Sequence, residues 1–114
     1  MYGGTISGNT ADGTGTHGGG GVSVGSSSTF TMNGGTITKN NATYGGGVYM
    51  GDNTTFTMEN GTITGNNAGS GGGVCVVSNV TFNMKDGTIS GNNATRNGGG
   101  VCGATDATFT FNGT

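Results

Sequence analysis

The sequence predicts an all-β fold: a right-handed parallel β-helix (solenoid) of about four coils of 26–27 residues with three short strands each, forming one domain over residues 1–114. Three observations predict it. A phenylalanine recurs in a T-F motif at Phe30, Phe56, Phe82 and Phe109, spaced 26, 26 and 27 residues apart. A valine closes each glycine run at Val22, Val48, Val74 and Val101, with the same spacing. The isoleucines of the G-T-I motif, Ile6, Ile37, Ile63 and Ile89, are spaced 31, 26 and 26, the longer interval coming from a five-residue expansion between Ala11 and Gly21. Self-similarity at such a period is the signature of stacked supersecondary units.

One coil reads GGGVYMGDNTTFTMENGTITGNNAGS from Gly45 to Ser70. Its first strand is Val48-Tyr49-Met50, its second Thr55-Phe56-Thr57-Met58 and its third Thr62-Ile63-Thr64. Each alternates apolar and polar residues, as a strand with one buried face does, and is too short for a helix. Identical strands recurring once per coil stack in parallel, so the inward residues form columns. Besides the Val, Phe and Ile columns, Met32, Met58, Met84 and Phe111 make one, and Val24, Met50, Val76 and Gly103 another. Every isoleucine, every phenylalanine and every methionine except Met1 falls in a column. The glycine runs and the G-N-N-A segments are read as corners. There, stacked amides of Asn40, Asn66 and Asn92 can hydrogen-bond along the axis. Right-handedness follows from the preference of parallel connections.

Composition narrows the function classes. The chain has 29 glycines and no proline, but fixed apolar spacing argues against disorder, and collagen needs glycine at every third residue. The net charge is −2, and the cations Lys39, Lys85 and Arg96 are scattered, so no phosphate-binding patch for nucleic acid is expected. No apolar run approaches the roughly 20 residues that span a bilayer, so membrane insertion of this segment is not expected. The sequence opens inside a repeat at Met1-Tyr2-Gly3-Gly4 and closes on Asn112-Gly113-Thr114, just before the next expected isoleucine. It is therefore expected to be an uncapped portion of a longer exported protein, with a signal upstream and a tendency to associate end to end.

Chemistry-bearing residues are few. Asp12, Asp52, Asp86, Asp106 and Glu59 stand mostly singly in turns; Asp52 and Asp106 lie close in the coil frame but two coils apart, with Ser78 or Asn79 between, and do not make a carboxylate pair for acid–base work. His17 lies alone in the expansion, without the further ligands a metal site needs. No catalytic, cofactor or metal residues are expected. Cys75 and Cys102 follow the column valines and share one outward position on neighbouring coils, next to Tyr49 and Ser23. A disulfide stapling two coils and a pair of free surface thiols both fit that placement. Outward threonines flank the phenylalanines at Thr29, Thr31, Thr55, Thr57, Thr81, Thr108 and Thr110, a candidate binding face. A second set flanks the isoleucines at Thr5/Ser7, Thr36/Thr38, Thr62/Thr64 and Thr88/Ser90. Threonine is also a good soluble strand former, so these rows serve equally as a solvated face.

F-x-x-N at Phe30–Asn33 and Phe109–Asn112, with GG-Val segments such as Gly46-Gly47-Val48, resembles the repeats of polymorphic outer-membrane proteins, autotransported adhesins with β-helical passengers. It is similar also to Gly/Thr-rich β-helix repeats of large bacterial surface proteins. Glu59 and Lys85 depart from the motif, standing where it has asparagine. The resemblance implies a structural or adhesive segment, extracellular or at the bacterial cell surface, with a host or matrix molecule as partner. The T-x-T rows resemble the faces of ice-binding solenoids, which makes ice binding the alternative; a fragment of a carbohydrate-active β-helix enzyme is a third.

Overall fold

The structure, a computed structural model, describes residues 1–12, 18–104 and 106–111. Among these residues all regular structure is strand. The first coil contributes β1 (Thr5–Ser7), β2 (Thr10–Ala11), β3 (Val22–Val24) and β4 (Thr29–Met32). The second contributes β5 (Thr36–Thr38), β6 (Asn41–Tyr44), β7 (Val48–Met50) and β8 (Thr55–Met58). β9 (Thr62–Thr64), β10 (Asn67–Ser70), β11 (Val74–Val76) and β12 (Thr81–Met84) form the third. The last comprises β13 (Thr88–Ser90), β14 (Asn93–Asn97), β15 (Val101–Gly103) and β16 (Thr108–Phe111). Each strand pairs in parallel only with its counterparts one coil away, giving four sheets of four strands: β1-β5-β9-β13, β2-β6-β10-β14, β3-β7-β11-β15 and β4-β8-β12-β16. The chain is a parallel β-solenoid.

The columns read from the sequence are the pairing register. Phe30, Phe56, Phe82 and Phe109 are Cα partners in turn, as are Ile6, Ile37, Ile63 and Ile89. Inside, Phe56 and Phe82 stack with centroids 4.7 Å apart and planes within 4°, and Phe30 lies 5.0 Å from Phe56. Phe109 breaks the stack and meets Phe82 edge-on at 6.1 Å. The side chains of Met32, Ile37, Val48, Met50, Phe56, Met58, Ile63, Val74 and Phe82 are fully buried, so the core is one continuous apolar column through the middle coils.

The fourth sheet differs from the three-strand expectation. Its strands β2, β6, β10 and β14 run through the N-A segments assigned to corners, with Ala42 and Ala68 buried. Alanine carries little hydropathy, so a strand whose inward residue is alanine leaves a faint apolar trace. The extra residue of the 27-residue interval sits here, as a register shift between β10 and β14 in which Ser70 pairs with Asn97. Another core residue outside the expected columns is Val80, at a corner; Thr54, one coil below, is equally buried and satisfies its hydroxyl by donating to the Gly51 carbonyl at 2.6 Å.

The double glycines before each column valine are set by coil-to-coil packing. A Cβ on Gly46 would lie 2.5 Å from the carbonyl oxygens of both Asn67 and Gly72, closer than real Cβ contacts come. A different corner column, Gly8, Lys39, Gly65 and Gly91, has positive φ throughout, and Lys39 at φ 58 is its one non-glycine member.

Candidate functional site

The outward threonines form two registered lattices. On the β4-β8-β12-β16 sheet, Thr29, Thr55, Thr81 and Thr108 make one row, and Thr31, Thr57, Asn83 and Thr110 the other. Strand geometry sets the rungs about 4.8 Å apart and the two rows about 6.7 Å apart. Thr29 and Thr108, on the outer rungs, are exposed, whereas Thr31, Thr55, Thr57, Thr81 and Thr110 are half-buried between their neighbours. The β1-β5-β9-β13 sheet repeats the pattern with Thr5, Thr36, Thr62, Thr88 and Ser7, Thr38, Thr64, Ser90. Each hydroxyl donates once and accepts twice, so both lattices are neutral arrays able to match either kind of partner group. At the corner between these sheets the two departures from F-x-x-N meet. Lys85 Nζ lies 3.1 Å from Glu59 Oε1 on the next coil, an exposed pair replacing the motif's asparagine.

The asparagine corner is a buried hydrogen-bond ladder. Asn9, Asn40 and Asn66 each donate from Nδ2 to the Oδ1 of the next asparagine, ending on Asn92, at 3.1, 3.0 and 2.9 Å. The same Oδ1 atoms accept the backbone N–H of the preceding asparagine, and the Nδ2 atoms of Asn40, Asn66 and Asn92 also donate to the carbonyls of Ile6, Ile37 and Ile63. These partners fix the direction of every amide. A second ladder, exposed, runs the opposite way: Asn93 donates to Asn67 at 2.9 Å and Asn67 to Asn41 at 3.0 Å.

Cys75 and Cys102 are direct partners across β11 and β15 and carry free thiols. Cys75 is not at the surface despite its outward direction: it is 5% exposed, packed between Tyr49 and Cys102 on the adjacent coils. Burial, the neighbouring Cys102 sulfur and a hydrogen bond donated to it push the Cys75 thiol up to about 12. A thiol so held is a poor nucleophile. The Tyr49 phenol is raised as well, first by burial and then by Cys75, Asp52 and Tyr44. Above this column Arg96 reaches across Gly69, whose missing side chain leaves room for the guanidinium, to lie 5.6 Å from the Tyr44 ring centroid.

Asp12, Asp52, Asp86 and Asp106 are dispersed, and among the described residues no three His, Cys, Asp or Glu side chains come together as a metal site would require. His17 lies outside the described residues. Sequence reasoning missed one feature, a cleft of about 250 Å³ at the corner between β3–β7 and β4–β8, lined by Ser23, Ser26, Tyr49, Asp52 and Val77 among others. The available signal was a mismatch down the columns: the outward position runs Ser23, Tyr49, Cys75, Cys102, unlike the uniform columns inside. Comparison of the chain with protein families, with curated proteins and with solved structures returned no match.

Proposed function

We propose that this chain is a structural and adhesive segment of a bacterial cell-surface or secreted β-helix protein, with no reaction of its own. The observation that carries the reading is the continuous register of the β4-β8-β12-β16 sheet, which repeats one neutral hydroxyl-and-amide pattern on the exterior at every rung. A partner that is itself repetitive, such as a matrix or host-surface polymer, gains from every further rung through multivalency. The F-x-x-N and GG-Val motifs, similar to autotransported adhesin passengers, support the same reading. The test is to display the segment on cells with the Gly45–Ser70 coil deleted, present once or duplicated, and to score adherence to matrix-coated surfaces. Adherence rising with coil number is the expected result; adherence equal to that of bare cells refutes the adhesive half and leaves a spacer.

Ice binding is the second reading, supported by the two in-register T-x-T lattices on adjacent sheets. Thermal hysteresis in dilute solution would favour it, and its absence together with unimpeded ice recrystallisation ends it.

A further inference from the structure

The corner cleft is built from a local failure of the repeat. Counting on from the paired residues Val24, Met50 and Val76, the next position holds Gly25, Gly51 and Val77 in successive coils. Two consecutive glycines remove the side chains that would fill this corner, and the third coil's valine closes one wall. Gly51 is fixed by donating its N–H to the Val24 carbonyl at 2.9 Å, and Val77 by donating to the Met50 carbonyl at 3.2 Å. The opposite rim is set by the Ser27 N–H, which donates to the backbone carbonyl of Asp52 at 3.2 Å and ties the two turns together. The floor is therefore backbone, held by ladder hydrogen bonds and formed before any ligand arrives.

The lining has a definite chemistry. Tyr49 gives an aromatic wall and Val77 an aliphatic one; Ser23 and Ser26 add hydroxyls, and Asp52 adds a carboxylate. Asp52 and Tyr49 line the same cleft, so the carboxylate and the aromatic side chain border one ligand volume. A lone carboxylate is too few ligands for calcium, which takes six to eight oxygens. Its charge repels phosphates and other anions. The volume of about 250 Å³ lies below the range of about 300–1,000 Å³ typical of drug-sized ligands, and suits a single small ring. A compact ligand with an apolar face and several hydroxyls on its edge matches an aromatic wall opposed by a charge-assisted acceptor.

We propose that this cleft binds one ring of a neutral carbohydrate, with Tyr49 and Val77 against the sugar's C–H face and Asp52, Ser23 and Ser26 hydrogen-bonding its hydroxyls. The proposal deepens the adhesive reading and rests on it, by naming a glycan as the partner class. It requires no residue of the threonine lattices.

The test is a titration of the ¹⁵N-labelled 114-residue chain with the methyl β-glycosides of glucose, galactose and N-acetylglucosamine, followed by amide chemical shifts. The expected result is saturable, millimolar-range shifts at Gly25, Gly51 and Asp52 for at least one glycoside. Two variants report on the site. Tyr49→Ala removes the aromatic wall and abolishes the shifts; the equivalent outward positions on the other coils carry only serine or cysteine, so the fold tolerates a small side chain there. Asp52→Asn removes the charged acceptor and weakens binding about tenfold, as loss of a charge-assisted hydrogen bond does. Thr95→Ala, exposed on β14 and away from both the cleft and the threonine lattices, leaves glycoside binding unchanged. No saturable shift with any of the three glycosides, or shifts that survive undiminished in Tyr49→Ala, overturns the proposal. Coil-number-dependent adherence alongside such a failure would leave the adhesive reading standing, and its loss alongside intact glycoside binding would separate the two the other way.

Discussion

Replacing Asn66 with alanine tests the ladder at its centre. The side chain accepts the N–H and Nδ2 of Asn40, both at 3.0 Å, and donates to Asn92 Oδ1 at 2.9 Å and the Ile37 carbonyl at 3.0 Å. Alanine deletes these four interactions and a longer one to the Thr64 carbonyl at 3.3 Å, and strips the Asn40 N–H and the Ile37 carbonyl of these partners where water does not reach freely. A buried group left unsatisfied costs about 1–3 kcal/mol, so the two together, with the small void, predict a loss of about 3–5 kcal/mol. Against a total stability of about 5–15 kcal/mol this is a large share, lowering Tm by on the order of 15 °C or more. Asn67→Ala is the control. Asn67 occupies the exposed ladder, where water replaces its bonds to Asn41 and Asn93, and the expected loss is under about 0.5 kcal/mol. Urea unfolding followed by far-UV circular dichroism measures both, with unchanged m values confirming that stability alone has moved. A loss below about 1 kcal/mol for Asn66→Ala, or equal losses for the two variants, would refute the reasoning that burial and not amide stacking as such gives the ladder its value.

Lys39→Gly removes a side chain from a left-handed position whose column partners are glycines, and is expected to stabilise the chain by about 0.5–1 kcal/mol, with Lys39→Ala giving no gain in the same melts. Gly46→Ala forces a Cβ against two backbone oxygens and is expected to cost about 3 kcal/mol or more, whereas Gly100→Ala, whose Cβ would have only one neighbour within 4 Å at 3.8 Å, is expected to be near neutral. Because the folded Cys75 thiol ionises only near 12 and its ordinary value is 9.0, the folded chain holds a proton that the unfolded chain releases. Stability is full below 9.0 and declines as pH rises from there towards about 12. Cys75→Ala flattens that decline in alkaline urea titrations. Among the described residues the large apolar side chains of Phe111 and Tyr2 are 59% and 86% exposed. Sedimentation velocity of the 114-residue polypeptide is expected to show association growing with concentration, reduced by Phe111→Lys.

The Val, Phe, Ile and Met columns were legible because a large apolar residue returned after a fixed interval, and parallel pairing turns that interval directly into register. The sheet built on Ala42 and Ala68 was not, because its inward side chains are too small to stand out from the asparagine and glycine around them. The direction of Cys75 was legible from its place after Val74; its burial depended on the bulk of Tyr49 one coil away, which alternation within a strand does not encode. The Asn40–Asn66–Asn92 stack was visible as a recurrence, while the direction of its amides follows from backbone partners that only the fold supplies. The corner cleft was least legible of all, since it arises where Gly25 and Gly51 contribute no side chain. Handedness remains the expectation drawn from parallel connections in general.

The register shift between β10 and β14 and the expansion between Ala11 and Gly21 bear on how the chain finds its native pairing. With phenylalanine facing phenylalanine and valine facing valine at each 26-residue step, a strand that skips a coil meets nearly the same inner surface as one that does not. Slipped arrangements therefore compete almost evenly on core packing, and the odd residues break the tie: a coil of unequal length, Gly103 in place of a valine, the Lys85–Glu59 pair, the one Tyr49–Cys75 contact. Smoothing these irregularities into a perfect consensus would strengthen each coil while erasing the marks that tell one from the next, and the chain would exchange a single native alignment for a family of shifted and strand-swapped ones.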